Sequence, residues 1–130
     1  MGKTDKQNVG KAGENAAEVF LKKHFYTILE RNYWKKWGEI DIVANKNGVI
    51  HFIEVKTVSR EIVSEDGDDN YYPEDNIHPW KRRRFARTIE TYLLERRVME
   101  DCDWQVDSIA VYLNREGQVL KVDHLEDIIL

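Results

Sequence analysis

Apolar positions recur at helical spacing over residues 8 to about 24, where Val9, Ala12, Ala16, Ala17, Phe20 and Leu21 form one stripe. Gly10 and Gly13 leave that helix room to approach another backbone closely. Residues 26–36 read as a strand. Two β-branched runs follow, flanking Asn47-Gly48, a strong short hairpin signal. The stretch from Thr57 to Asp75 is acidic and rich in Asp, Gly and Asn, and it reads as a mobile, solvated loop with Tyr71-Tyr72-Pro73 near its end. A second helix begins near Pro79, a favoured first helical residue, and runs to about Val98, burying Phe85, Ala86, Ile89, Tyr92 and Leu93. Alternation returns from Gln105 to Leu113, and Val119 to Val122 forms an edge-like strand after a turn at Gly117. Residues 124–130 fit a short terminal helix or tail. The order α-β-β-β-α-β-β predicts an α/β fold, a mixed sheet flanked by helices, in one domain over 1–130 with an acidic loop insertion at about 58–76.

The hairpin carries the candidate chemistry. With Asn47 and Gly48 as the central turn residues, Asp41 faces Glu54 and Glu39 faces Lys56. Alternation then places these four on one face with Val43, Asn45, Ile50 and Phe52, while Ile40, Ile42, Ala44, Ile53 and Val55 share the other with His51 near the turn. Directly opposed carboxylates repel, and a hard divalent cation resolves the conflict. The competing reading is an ion-pair cluster of Glu39 and Asp41 with Lys56. A slip of one residue would separate Asp41 from Glu54. Glu14 lies on the flank of the first helix's apolar stripe and points partly inward, although a first-turn glutamate is also favoured by the helix dipole.

Composition narrows the class. The chain has 130 residues and one cysteine, Cys102, so an intramolecular disulfide and a multi-cysteine zinc site are excluded. The four histidines have no metal-ligand spacing. No apolar run is long enough for a membrane span and the N-terminus is polar, so a reducing cytoplasm is expected. The net charge of −4 conceals segregation: residues 61–80 are acidic without a base, while Lys81, Arg82, Arg83, Arg84 and Arg87 crowd the start of the second helix. Cations at a helix N-terminus oppose the macrodipole, and a polyanion such as nucleic acid would reverse that cost.

Several motifs in order resemble one family. Gly10-x-x-Gly13-Glu14-x-x-Ala17-x-x-x-Leu21 is followed by Ile28-Leu29-x-Arg31-Asn32, Gly38-Glu39-Ile40-Asp41 and Glu54-Val55-Lys56-Thr57. Lys81 with Thr88 and Tyr92-Leu93, and then Asp107, complete the series. The chain thereby resembles the PD-(D/E)XK nuclease superfamily and, within it, the YraN family of predicted Holliday-junction-resolvase-like endonucleases. Val58 and Gln105 depart from the family's usual arginines.

The resemblance implies a restriction-endonuclease-like fold and metal-dependent endonuclease activity on DNA, including branched DNA. Asp41, Glu54 and the Val55 carbonyl would hold Mg²⁺ or Mn²⁺, with Glu14 completing the site. Glu39 would bind a second ion or pair with Lys56. Lys56 would orient the attacking water and stabilise charge on phosphorus. Lys81, Arg82, Arg83, Arg84 and Arg87 would grip phosphates, and cutting two strands would call for a homodimer. The alternative on the same fold is a non-catalytic nucleic-acid-binding or protein-interaction module.

Overall fold

The computed structural model describes residues 5–59 and 79–128. The elements are α1 (Asp5–Lys23), β1 (Thr27–Lys35), β2 (Gly38–Lys46), β3 (Val49–Ser59), α2 (Pro79–Glu95), β4 (Trp104–Leu113) and β5 (Val119–Leu125), in the order the periodicity predicts. One five-stranded sheet runs β1-β2-β3-β4-β5. The first three strands form a meander, β3 and β4 are parallel, and β5 returns antiparallel. A parallel pair needs a crossover, and α2 lies within it.

Each helix covers one face of the sheet. Ala17 and Leu21 of α1 pack on Ile42, Ala44, Ile53, Ile109, Val111 and Leu113. Phe85, Ile89 and Tyr92 of α2 pack on Tyr33, Ile40, Val43, Ile50, Phe52 and Val106. Complete burial of a Leu, Ile or Phe contributes about 1.5–3 kcal/mol, so these two layers dominate the stability. Close approach is achieved with glycine. A Cβ at Gly13 would overlap the Thr57 side chain, and one at Gly38 would come within 2.5 Å of Thr88 Oγ1. Gly10, expected to share this role, has nothing near it.

The hairpin register is the predicted one from Lys46↔Val49 to Ile42↔Ile53, where the ladder between β2 and β3 ends. Beyond it β2 stays paired to β1 as far as Gly38, and β3 stays paired to β4 as far as Ser59. The two central strands therefore part as a fork, and Asp41 and Glu54 are the first residues past the last pair.

Strict alternation fails at the same place. Ile40 was expected beside Ile42, but it packs on the α2 side with Val43 while Ile42 packs on the α1 side. In the β1–β2 register Arg31 pairs with Ile42 and Tyr33 with Ile40, leaving Asn32 and Asp41 between them. Asn32 has φ of +52°, a left-handed conformation that asparagine tolerates better than most residues. The local kink exchanges the faces and aims Asp41 into the fork.

Three other expectations need correction. β3 continues through Thr57, Val58 and Ser59, which pair with Val111, Tyr112 and Leu113 where a loop was expected. The remainder of that acidic stretch, Tyr71-Tyr72-Pro73 included, lies outside the described residues. α2 stops at Glu95, before Val98, because Arg97 is left-handed at φ +52° and the Val98 N–H closes back on the Leu93 carbonyl at 2.9 Å. His124 and Leu125 belong to β5, paired with Ile109 and Ser108, and no helix follows among the described residues. Among the described residues no helix is long and apolar enough to cross a membrane.

Candidate functional site

The fork between β2 and β3 is where the sheet leaves backbone groups free for side chains. The N–H of Val55 donates to Asp41 Oδ2 at 2.7 Å, replacing the ladder bond that an unsplit hairpin would make. Val55 itself leans on the α1 core. Thus Asp41 and Glu54 do not oppose each other as a simple pair; one carboxylate caps the backbone beside the other.

α1 supplies the next carboxylate. The close contact at Gly13 brings the following residue, Glu14, to the fork. Ligand oxygens of Glu14, Glu39 and Asp41 lie within 4.8 Å of one another. Asn32 Nδ2 donates both to Glu14 Oε1 at 2.8 Å and to Glu39 Oε1 at 2.9 Å, joining α1 to β2. Arg31 adds a 3.3 Å contact to the same Glu14 oxygen and a 2.7 Å hydrogen bond to Asn15. Neither Glu39 nor Asp41 is ion-paired to a base among the described residues, so the Lys56 ion-pair cluster is not formed.

Electrostatics follow from this packing. Burial pushes the Asp41 carboxyl up to about 7, against the stabilising Val55 N–H, and Glu14, Glu39 and Glu54 push the same way as burial. Asp41 therefore holds its proton far more tightly than an ordinary carboxyl, and a bound cation would relieve that.

Glu54 and Lys56 are placed differently from Glu14, Glu39 and Asp41. Glu54 is ion-paired with Lys81 Nζ at the start of α2. Lys56 is exposed on β3. An open groove of about 320 Å³ runs from Glu39, Asp41 and Glu54 to Trp80, Lys81 and Arg84. Arg84 stacks over the Trp80 ring at 5.1 Å and Arg87 over Trp37 at 4.1 Å. Arg83 is exposed, and Arg82 is half-buried and already partnered. The structure thus brings together Glu14, Glu39, Asp41, Glu54 and Lys81, and sets Arg84 on the rim.

Sequence reasoning overlooked two groups. Asn32 was visible only as part of a motif; a polar, left-handed-tolerant residue before an aromatic strand segment was its signal. The second is a buried knot around Asp107, toward the hairpin-turn end of β3. Asp107 Oδ2 accepts from His51 Nδ1 at 2.6 Å and His124 Nε2 at 2.8 Å, while Oδ1 accepts from Gln105 Nε2 at 2.9 Å and the Asp127 N–H at 3.0 Å. Burial alone would raise this carboxyl, but the donors from His124, His51, Gln105 and Asp127 outweigh it and hold it well below the usual carboxylate range. His51, Asp107 and Glu126 also offer ligand atoms within 4.8 Å, although four donors already satisfy the Asp107 carboxylate. Asp107 therefore ties β3, β4, β5 and the C-terminal segment together as a structural hub.

Comparison with known proteins shows which family the chain belongs to. A model of the uncharacterised protein family UPF0102 matches residues 13–111, the span that contains every member of the carboxylate cluster. A UPF0102 protein of Campylobacter hominis is 38% identical over 121 residues, covering 93% of each chain. One of Caldicellulosiruptor saccharolyticus is 35% identical over 123 residues, 95% of this chain and 98% of the relative. A third, of Persephonella marina, is 40% identical over 90 residues, covering 68% of this chain and 71% of its own. The chain belongs to the UPF0102 family, the YraN family that its motifs resemble.

Proposed function

We propose that this protein hydrolyses phosphodiester bonds in DNA, using Mg²⁺ or Mn²⁺ held at the Glu14–Glu39–Asp41 cluster. The observation that carries this reading is the convergence of three carboxylates from two elements, with Asp41 pushed up to about 7 and no basic partner on Glu39 or Asp41 among the described residues. The donor set fits a hard divalent cation, which takes oxygen ligands and removes the mutual repulsion. Glu54, on the same groove, and the Val55 carbonyl would complete the set. Such an ion supplies Lewis-acid polarisation of a phosphoryl oxygen and a more acidic bound water.

The protein's own residues supply position and charge. The Val55 N–H fixes the Asp41 carboxylate, and Asn32 holds Glu14 and Glu39 at a set separation. A donor set held this way needs little reorganisation on binding. The exposed Lys56 ammonium stabilises charge developing on the phosphoryl oxygens. Lys81, Arg84 and Arg87 bind flanking phosphates, which fixes register without reading sequence. Cutting both strands of a branched substrate would use two copies related by a two-fold axis.

The test is cleavage of branched, flapped, single-stranded and duplex DNA with Mg²⁺ or Mn²⁺. Wild type is expected to cut at least one of them. Asp41→Asn and Lys56→Ala are each expected to lose cutting while retaining binding. Wild type that cuts none, or Asp41→Asn that cuts at the wild-type rate, contradicts the proposal.

A further inference from the structure

Two indoles near the carboxylates are largely uncovered, one lining the groove and the other outside its lining, on β1 beside Glu39. Trp80, in the first turn of α2, is 52% exposed and lines the groove with Asp41 and Glu54. Trp34, on β1, is 65% exposed and is the cross-strand partner of Glu39, so the two side chains share a face. A single exposed tryptophan is ordinary; two flanking one anionic cluster with cations on the rim form a surface of defined chemistry. The Arg84 guanidinium sits over one side of the Trp80 ring, and half of that residue stays open. Guanidinium stacking on one face orients an indole and leaves its other face for a further planar group.

We infer that this site takes an unpaired strand of nucleic acid running from the groove past Glu39, with one base stacking on Trp80 and another on Trp34. The inference rests on the hydrolase reading above and names its substrate class. Paired, stacked bases offer their edges and phosphates, whereas a free indole face is matched by the face of an unstacked base. Arg84 and Lys81 would meet the phosphates of that strand. A duplex could use only the phosphate contacts and would gain nothing from the indoles. The platform therefore selects single-stranded segments, such as flaps or the open arms of a branched structure.

Binding in chelator tests this without any cleavage. Full-length protein is titrated with labelled oligothymidine and, separately, with a duplex of the same length at one salt concentration. Wild type should bind the single strand at least about tenfold more tightly, the scale of one stacked base. Trp80→Ala and Trp34→Ala should each lose about tenfold for the single strand with duplex affinity unchanged, and Trp80→Phe should keep most of it. Equal or tighter duplex binding overturns the inference, as do alanine variants with wild-type single-strand affinity, or no binding of either nucleic acid. If the inference fails while metal-dependent cleavage persists and is lost in Asp41→Asn, the hydrolase reading stands alone.

Discussion

Asp41 takes up the backbone N–H of Val55 at 2.7 Å at the first position where β2 and β3 no longer pair. That contact links the split in the sheet to a carboxylate of unusual proton affinity. Burial, followed by the neighbouring Glu14, Glu39 and Glu54, pushes Asp41 up to about 7 against the N–H. A carboxyl whose folded pKa exceeds its unfolded value near 4 favours the fold at low pH. The advantage is fully present below the unfolded pKa and is lost as pH rises through the folded one. Metal-free protein should therefore lose stability between pH 4 and 8, by on the order of 3 kcal/mol from this group. Asp41→Asn keeps the shape and should flatten the dependence and raise the melting temperature at pH 8. Thermal melts in chelator across that pH range provide the check, and an unchanged slope would remove Asp41 as its source.

Gly13 connects helix packing to the site. A Cβ there overlaps Thr57, so Gly13→Ala forces α1 away from β3 and carries Glu14 with it. Overpacking of this kind costs about 1–3 kcal/mol. Chemical denaturation should show that loss, and Mn²⁺ affinity should fall with it. Adding Thr57→Gly should restore both, because it removes the atoms that clash.

The extent to which this was legible in the sequence depended on distance along the chain. Asn47-Gly48 and the flanking β-branched runs fixed the hairpin register correctly from Lys46↔Val49 to Ile42↔Ile53, because turn and pairing are local. The same logic failed one residue further. There Asp41 answers to the left-handed Asn32 on β1 and to β3 having turned to β4, which alternation within one hairpin cannot encode. Glu14 was recognisable as half-inward, but its approach to Asp41 depends on the Gly13–Thr57 contact between elements. Lys81 read as part of a phosphate-binding run, yet the docking of α2 over the fork gives it to Glu54. The histidines at 51 and 124 lacked ligand spacing in sequence, and only the strand order β3-β4-β5 brings both to Asp107.

The Lys81–Glu54 pair makes an internal ammonium compete with any cation for Glu54. Lys81→Met removes the competitor while keeping the aliphatic stem. Mn²⁺ affinity measured by calorimetry without nucleic acid should rise several-fold, and the salt slope of DNA binding should fall by roughly 0.9 for the lost phosphate contact. Unchanged metal affinity would mean that Glu54 does not contribute to the ion's site.

The hub at Asp107 should behave as structure. Its carboxyl is held well below the usual range, so its contribution is present above an unfolded pKa near 4 and is lost as pH falls through the folded one. Asp107→Ala strands two imidazoles, an amide and a backbone N–H, each unsatisfied donor costing about 1–3 kcal/mol. Urea unfolding at neutral pH should show a loss of at least about 3 kcal/mol. Where the variant remains folded, its Mn²⁺ affinity should match wild type, since the hub and the fork are separate clusters.

The central claim is that Glu14, Glu39 and Asp41 form one divalent-cation site. Calorimetric titration of Mn²⁺ into wild type and Asp41→Asn, at pH 8 and without nucleic acid, tests it most directly. The account predicts saturable binding to wild type and an affinity at least about tenfold weaker in the variant, the range seen when one supporting or liganding group is removed. Equal affinity in the two proteins, or no binding to wild type, would contradict it.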